Sequence, residues 1–224
     1  MQIDRGAIAM ETFGRAYGYA IEHLDRLLAA LGEHLLLVAV PLAIGLVLGL
    51  PLGLLSARSR IAATVFINGF NGLRVIPSIA ILFLAIPYFG LSFQSAAIAL
   101  TLLVLPPILV STEVAFRSVA PPVREAAVGM GMSPFEVLRQ VEVPLALPVI
   151  IAGIKTATVE VIASATLAAF IGAGGLGDFI VLGFAQYDPA ILLVGAIPVA
   201  LLALLSEVSL GILQQQVQPP SQQP

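Results

Sequence analysis

Residues Pro121 to Pro148 read PPVREAAVGMGMSPFEVLRQVEVPLALP, and this stretch decides the fold. It carries Arg124, Glu125, Glu136, Arg139 and Glu142 between two apolar runs. Its helix punctuation is explicit. Ser133, Pro134 and Glu136 form a capping-box pattern: a serine before the first turn, a proline at the first helical position and a glutamate three past the cap. A short helix is therefore expected to start at Pro134. Pro121 and Pro122 open another through Glu125, Ala126 and Ala127, which Gly129 and Gly131 break. The expected result is two short helices bent about a glycine hinge, on a loop between membrane spans.

Composition puts that loop in an integral membrane protein. The chain has 224 residues, 59% of them hydrophobic and 10% charged. Its mean hydropathy is +1.04, whereas soluble domains carry about 25% charged residues. A net charge of −3 with no basic stripe argues against a nucleic-acid partner. The absence of cysteine removes disulfides, thiolate nucleophiles and cysteine-ligated metals. His23 and His34 face no serine or carboxylate constellation and read as interfacial polar residues.

The chain then divides by hydropathy. Residues 1–33 are mixed in charge, lack the pattern of a cleaved signal peptide, and form an extracytoplasmic segment. Ile21, Leu24, Leu27, Leu28 and Leu31 fall at helical spacing, which fits a helix lying on the membrane surface and ended by Gly32, or a watery extension of the first span. Residues 34–213 form the transmembrane domain, with a cytoplasmic loop over 119–144, and residues 214–224 form a disordered tail. About five spans are expected, near 34–57, 61–89, 95–118, 145–171 and 189–213, each reaching the roughly 20 residues that a bilayer requires. Gly45, Gly49 and Gly53 make a small-residue ridge on the first span. Asn68, Asn71, Arg74 and Pro77 interrupt the second, which should be kinked. Glu113 and Arg117, four apart, can pair on one face of the third.

Orientation follows from the arginines. Arg58, Arg60, Arg117, Arg124 and Arg139 fall on one side, while Asp178, Asp188 and the acid-rich N-terminal segment fall on the other. The positive-inside rule then places the N-terminus outside and both the polar loop and the C-terminus in the cytoplasm. The fold class is all-α.

The polar loop resembles the cytoplasmic signature loop of type I ABC importer permeases. In that family EAA is followed by three residues and glycine, then nine residues, an aliphatic residue, one more, and an aliphatic-proline pair. Glu125, Ala126, Ala127, Gly131, Val141, Val143 and Pro144 meet this pattern, with valine where isoleucine and leucine are usual. The first-span HLLLVAVPLAIGLVLGLPLG, the LRVIPS from Leu73 to Ser78, and TLAAFIGAGGLGDFI extend the likeness over about residues 33 to 205, toward the glycine betaine, carnitine and choline branch.

The resemblance implies a coupling helix seated on an ABC ATPase subunit. Glu125 would be the charged contact, Ala126, Ala127 and Gly131 a flat surface, Ser133 the cap of the second helix and Pro144 the exit into the fourth span. Phe135, Leu138 and Val141, spaced by three, would anchor that second helix against the bundle. The implied partners are ATPase subunits, a second permease that is identical or homologous, an extracytoplasmic substrate-binding protein and membrane lipid, in the cytoplasmic (inner) membrane of a prokaryote. No cofactor is expected on this chain. ATP and Mg belong to the ATPase, because no glycine-rich loop ending in GK[ST] exists here.

Gly172, Gly174 and Gly177 form a formal GxGxxG, but it follows a membrane span and lacks the strand and βαβ unit of a dinucleotide site. With Gly175 it reads as a flexible outer turn helping to form an external gate. Within the fourth span, Glu160 must face protein or water, because a charge at bilayer centre costs about 2.5–3.5 kcal/mol. It either pairs with Arg74 or lines the pathway, near Asn71, and meets a cationic substrate. Lys155 can reach the cytoplasmic interface by snorkelling. The chain has no tryptophan and four tyrosines widely separated in sequence, so an aromatic cage for a quaternary amine is not built in, and primary selectivity is expected in the external binding protein. A permease for another small solute, such as methionine, and a passive channel are the alternatives. A membrane-bound enzyme is disfavoured because no acid, base, thiol or metal constellation is present.

Overall fold

The computed structural model describes residues 5–218, and among these it is helical throughout. Nine helices follow in order: α1 Arg5–Glu22, α2 Leu24–Arg58, α3 Arg60–Leu73 and α4 Ser78–Phe89, α5 Phe93–Arg117, α6 Pro121–Gly129, α7 Pro134–Ile171, α8 Gly177–Ala185 and α9 Pro189–Gln216. Four of them, α2, α5, α7 and α9, are long and apolar enough to cross a membrane, and a fifth span results if the broken pair α3 and α4 counts as one. The break is local chemistry. Pro77 disfavours helical geometry at Ile76, so the chain leaves α3 through a turn in which Arg74, Val75 and Ile76 donate to the carbonyls of Asn71, Gly72 and Leu73.

Three expected boundaries differ. The surface helix around Ile21 to Leu31 is divided at His23, and α2 then runs without interruption through Gly32. An interior glycine costs a helix only about 1 kcal/mol, which the long apolar run that follows offsets. The segment boundary expected at residue 33 therefore does not coincide with the end of a helix. The polar loop is also shorter than expected: the helix begun at Pro134 does not stop, and Pro144 and Pro148 lie inside it. In the tail, Gln214–Gln216 continue α9, and residues 219–224 lie outside the described residues.

The chain forms two compact units, one of the segments up to Pro41, Ser78–Leu100 and Val161–Leu204, the other of Leu42–Pro77, Thr101–Glu160 and the chain from Leu205. In the first, Phe179, Leu176, Ile191, Val194, Ala190, Ala16 and Ala30 form the core. Gly183 and Gly195 permit backbone contact there, since a Cβ on Gly195 would lie 2.5 Å from the Leu176 carbonyl. Arg15 pairs with Asp188 at 2.5 Å, and the Arg26 guanidinium sits 5.3 Å from the Phe179 ring centre.

In the second unit α5 is the central element. Cβ atoms on Gly45, Gly49 and Gly53 of α2 would fall 2.5, 2.8 and 2.5 Å from Val104, Ile108 and Thr112 of α5, and one on Gly153 of α7 would fall 2.2 Å from Ser111. The expected glycine ridge is thus real, and α5 is approached by small residues from two helices. Lipid is as apolar as leucine, so such close approach, rather than expulsion of water, holds membrane helices together. The burial of the apolar windows agrees, at 67% for α5 against 28% for α2 and 17% for α9. The first span therefore packs through one face only, while Leu36, Val47 and Leu55 remain exposed.

Candidate functional site

The signature residues lie on α6 and the start of α7. Glu125 and Ala126 are exposed, whereas Ala127, only 2% exposed, faces inward and is the residue through which α6 packs. Val123, Val128 and Met130 are exposed apolar residues of the same segment. Gly131 has φ +86°. Met132 donates to the Ala127 carbonyl at 3.2 Å and Gly131 to that of Val128 at 2.9 Å, the paired bonds of a Schellman stop. Nothing lies within 4 Å of the place a Gly131 Cβ would occupy. Within this chain the glycine is required by its left-handed backbone.

The capping box forms as expected. Glu136 donates its amide to Ser133 Oγ, and the Ser133 amide donates to Glu136 Oε2 at 2.7 Å. Ser133→Ala is expected to cost about 1 kcal/mol, seen as faster hydrogen exchange of the Glu136 amide with the rest of α7 unchanged.

One turn later α7 departs from a regular helix. Leu138–Glu142 is a π turn in which the Val143 amide reaches back to the Leu138 carbonyl. Along one face of α7 the buried positions Val137, Glu142, Ala146, Ile150, Gly153 and Ala157 succeed one another, with the five-residue step on the π turn and ordinary steps of three and four after it. The inserted residue rotates the start of the helix. Phe135, expected as an anchor with Leu138 and Val141, is 67% exposed, and Val137 takes the inward position.

The same turn buries Glu142, at 1% exposure. Its Oε2 pairs with Arg58 Nη2, from the last turn of α2, and its Oε1 lies 2.7 Å from Arg124 Nε of α6. The second contact is a charge contact rather than an aligned hydrogen bond, because neither atom meets hydrogen-bond geometry. Arg124 also donates through Nη2 to the Phe116 carbonyl near the end of α5. Arg117 pairs with Glu113 at 2.5 Å as its spacing predicts, and reaches the Ser56 carbonyl at 3.4 Å. Sequence reasoning passed over Glu142. The available signal was a single carboxylate between Val141 and Val143 at the mouth of a membrane span, where an unpaired charge is untenable.

The glycine turn belongs to the other unit. Gly172, Gly174 and Gly175 all have positive φ, between +68° and +88°, and α8 begins at Gly177, where a Cβ would lie 2.2 Å from the Thr166 carbonyl. Glu33 Oε2 accepts from the Gly175 amide at 2.9 Å. A Cβ on Gly174 would meet the same oxygen at 2.3 Å. The turn is thus held by a carboxylate from α2, a partner the sequence did not reveal. Asp178 beside it has its carboxyl raised above the usual range, first by burial and then by the negative charge of Glu33, with Arg26 opposing. His34, read as an interfacial residue, is completely buried, 3.3 Å from where a Gly175 Cβ would stand. His23 instead packs its ring on Tyr19, with centroids 4.3 Å apart.

Other intramembrane polar residues are placed differently from each other. Glu160 is half-buried, while Asn71 and Arg74 are exposed at the end of α3. No ion pair joins Arg74 to Glu160 among the described residues. Lys155 pairs with Glu207 of α9 at 2.8 Å.

Comparison with known proteins accounts for this set of features. A family model described as the binding-protein-dependent transport system inner membrane component matches residues 49–219. A glycine betaine/carnitine/choline transport system permease protein of Bacillus subtilis is 38% identical over 193 residues, covering 86% of this chain and 89% of its own. A carnitine transport permease protein of Listeria monocytogenes is 41% identical over 198 residues, covering 88% and 91%. Among solved structures, a chain of an inward-facing methionine ABC transporter superposes with a TM-score of 0.76 at 23% identity, covering 88% of this chain and 99% of that one, a likeness of fold alone. The EAA loop, the all-helical spans and the match over most of the chain agree, and the protein belongs to the binding-protein-dependent inner membrane components, the permease subunits of ABC importers.

Proposed function

We propose that this permease carries small quaternary-amine osmoprotectants of the glycine betaine, choline and carnitine class into the cytoplasm. The observation that carries the proposal is the 38–41% identity, over 85% or more of the chain, to permeases named for those solutes. The chain contacts an ATPase through Glu125, Ala126 and the apolar surface of Val128 and Met130, and hydrolysis takes place on that partner. A second permease subunit, identical or homologous, completes the path, and an extracytoplasmic binding protein delivers the solute. Arg58, Arg60, Arg117, Arg124 and Arg139 all belong to one compact unit, whereas Asp178 and Asp188 belong to the other. That segregation supports a cytoplasmic coupling surface and C-terminus, with the N-terminus and glycine turn outside.

Glu160 lines the path, since it carries a charge in a span, is half-buried, and has one carboxylate oxygen with no hydrogen-bond partner. Asn71 and Arg74 contribute further polar groups. Selectivity resides chiefly in the binding protein, because the chain has no tryptophan and Tyr17, Tyr88 and Tyr187 stand exposed.

Proteoliposomes holding the permease, its ATPase and the binding protein test the reading. ATP-dependent uptake of labelled choline, carnitine or glycine betaine is expected, and uptake of methionine but of none of these would overturn the substrate class. Glu125→Arg is expected to abolish ATPase co-purification. Full retention of the ATPase by that variant would place the docking surface elsewhere.

A further inference from the structure

The contacts of Glu142 give the coupling helix a mechanical connection. Helix α6 has nine residues, and only Ala127 among them is buried. So small an apolar contact fixes neither the direction nor the height of a helix. Further restraint comes from Arg124, which makes a charge contact with Glu142 through Nε and donates a hydrogen bond to the Phe116 carbonyl through Nη2. Glu142 in turn holds Arg58, the final residue of α2. One buried carboxylate therefore ties together α6, the end of the first span and the beginning of the fourth, and neither of its partners lies on its own helix.

We propose that Glu142 is a positioning residue for energy coupling, the joint through which displacement of α6 by the ATPase reaches α2 and α7 together. The physical basis is the cost of leaving a buried charge unpaired. If α6 moved alone, Arg124 would withdraw from Glu142 and leave that carboxylate with half of its compensation in a poorly solvated site. Moving the three helix ends as one body keeps both pairs intact. The π turn is part of the device, because without its additional residue Glu142 would leave the buried stripe.

This inference rests on α6 being the surface that meets the ATPase, and the test separates the two ideas. Glu142→Gln and Arg58→Gln are compared in the full transporter of permease, ATPase and binding protein in proteoliposomes. Arg58 lies outside the signature loop, and its removal leaves Glu142 paired with Arg124, so that variant remains informative if Glu142→Gln does not assemble. The expected result for each is normal ATPase co-purification and basal hydrolysis, with stimulation by the solute-loaded binding protein reduced about tenfold. Arg58→Lys, which keeps the charge, should recover much of the stimulation. Parental stimulation in both glutamine variants would overturn the joint. Loss of the ATPase from Arg58→Gln would overturn it as well, since the cluster would then shape the docking surface rather than transmit from it. Absence of ATPase binding to α6 in the parent protein would instead be a failure of the proposed docking surface.

Discussion

Replacing Gly183 by alanine is expected to remove most of the folded permease from the membrane fraction. The added Cβ would stand 2.3 Å from the Leu192 amide nitrogen and 2.7 Å from its Cα. These are backbone atoms in the first turn of α9, where the Leu192 amide bonds to the Asp188 carbonyl, so no side-chain rotation can make room. Overpacking of this type costs about 1–3 kcal/mol, and more where backbone must shift. Gly211, in the same α9, supplies the control. Nothing lies within 4 Å of its Cβ position, and alanine there should stabilise the helix by about 0.5–1 kcal/mol. The same chemical change thus has opposite signs at two positions. Thermal unfolding of detergent-purified protein, read by monodisperse size-exclusion signal, measures both, and a Gly183→Ala protein as stable as the parent would show that α8 and α9 are not in backbone contact.

Gly174→Val is expected to lower uptake more than tenfold per assembled transporter. Its backbone has φ +78°, a left-handed conformation costing an L-residue about 1–2 kcal/mol and a β-branched one more. Its Cβ would also displace the Glu33 oxygen that accepts from Gly175. Gly172→Val separates the two contributions, because Gly172 has φ +68° but open space around it, so valine there carries similar backbone strain without a clash. Near-parental uptake by Gly172→Val beside loss in Gly174→Val locates the requirement in the Glu33 contact. Equal loss in both would assign it to backbone freedom alone.

Local rules read much of this chain correctly. Span lengths followed from hydropathy, the start of α7 from Ser133, Pro134 and Glu136, and the helix contact from the spacing of Gly45, Gly49 and Gly53, because each signal lies within one helix. What escaped depends on a second helix. The Glu207 partner of Lys155 stands on a different span, and Glu33 was one acid among several until α2 met the glycine turn. The failure at Phe135 is of another kind. Spacing by three assumes a regular α-helix, and the π turn over Leu138–Glu142 invalidates the count on one side of it only. Gly32 shows the limit of breaker residues, which end a helix only when its continuation is weak.

From the left-handed backbone at Gly131 to the buried carboxylate at Glu142, the chain is restricted more tightly in number than in kind. Most exposed side chains between them can change with little effect on either end. Removing one residue from the π turn would restore a regular helix and swing the Ser133 cap and Phe135 about 100° around the axis relative to Ala146. Insertions and deletions, rather than substitutions, are therefore the changes this segment is least able to absorb.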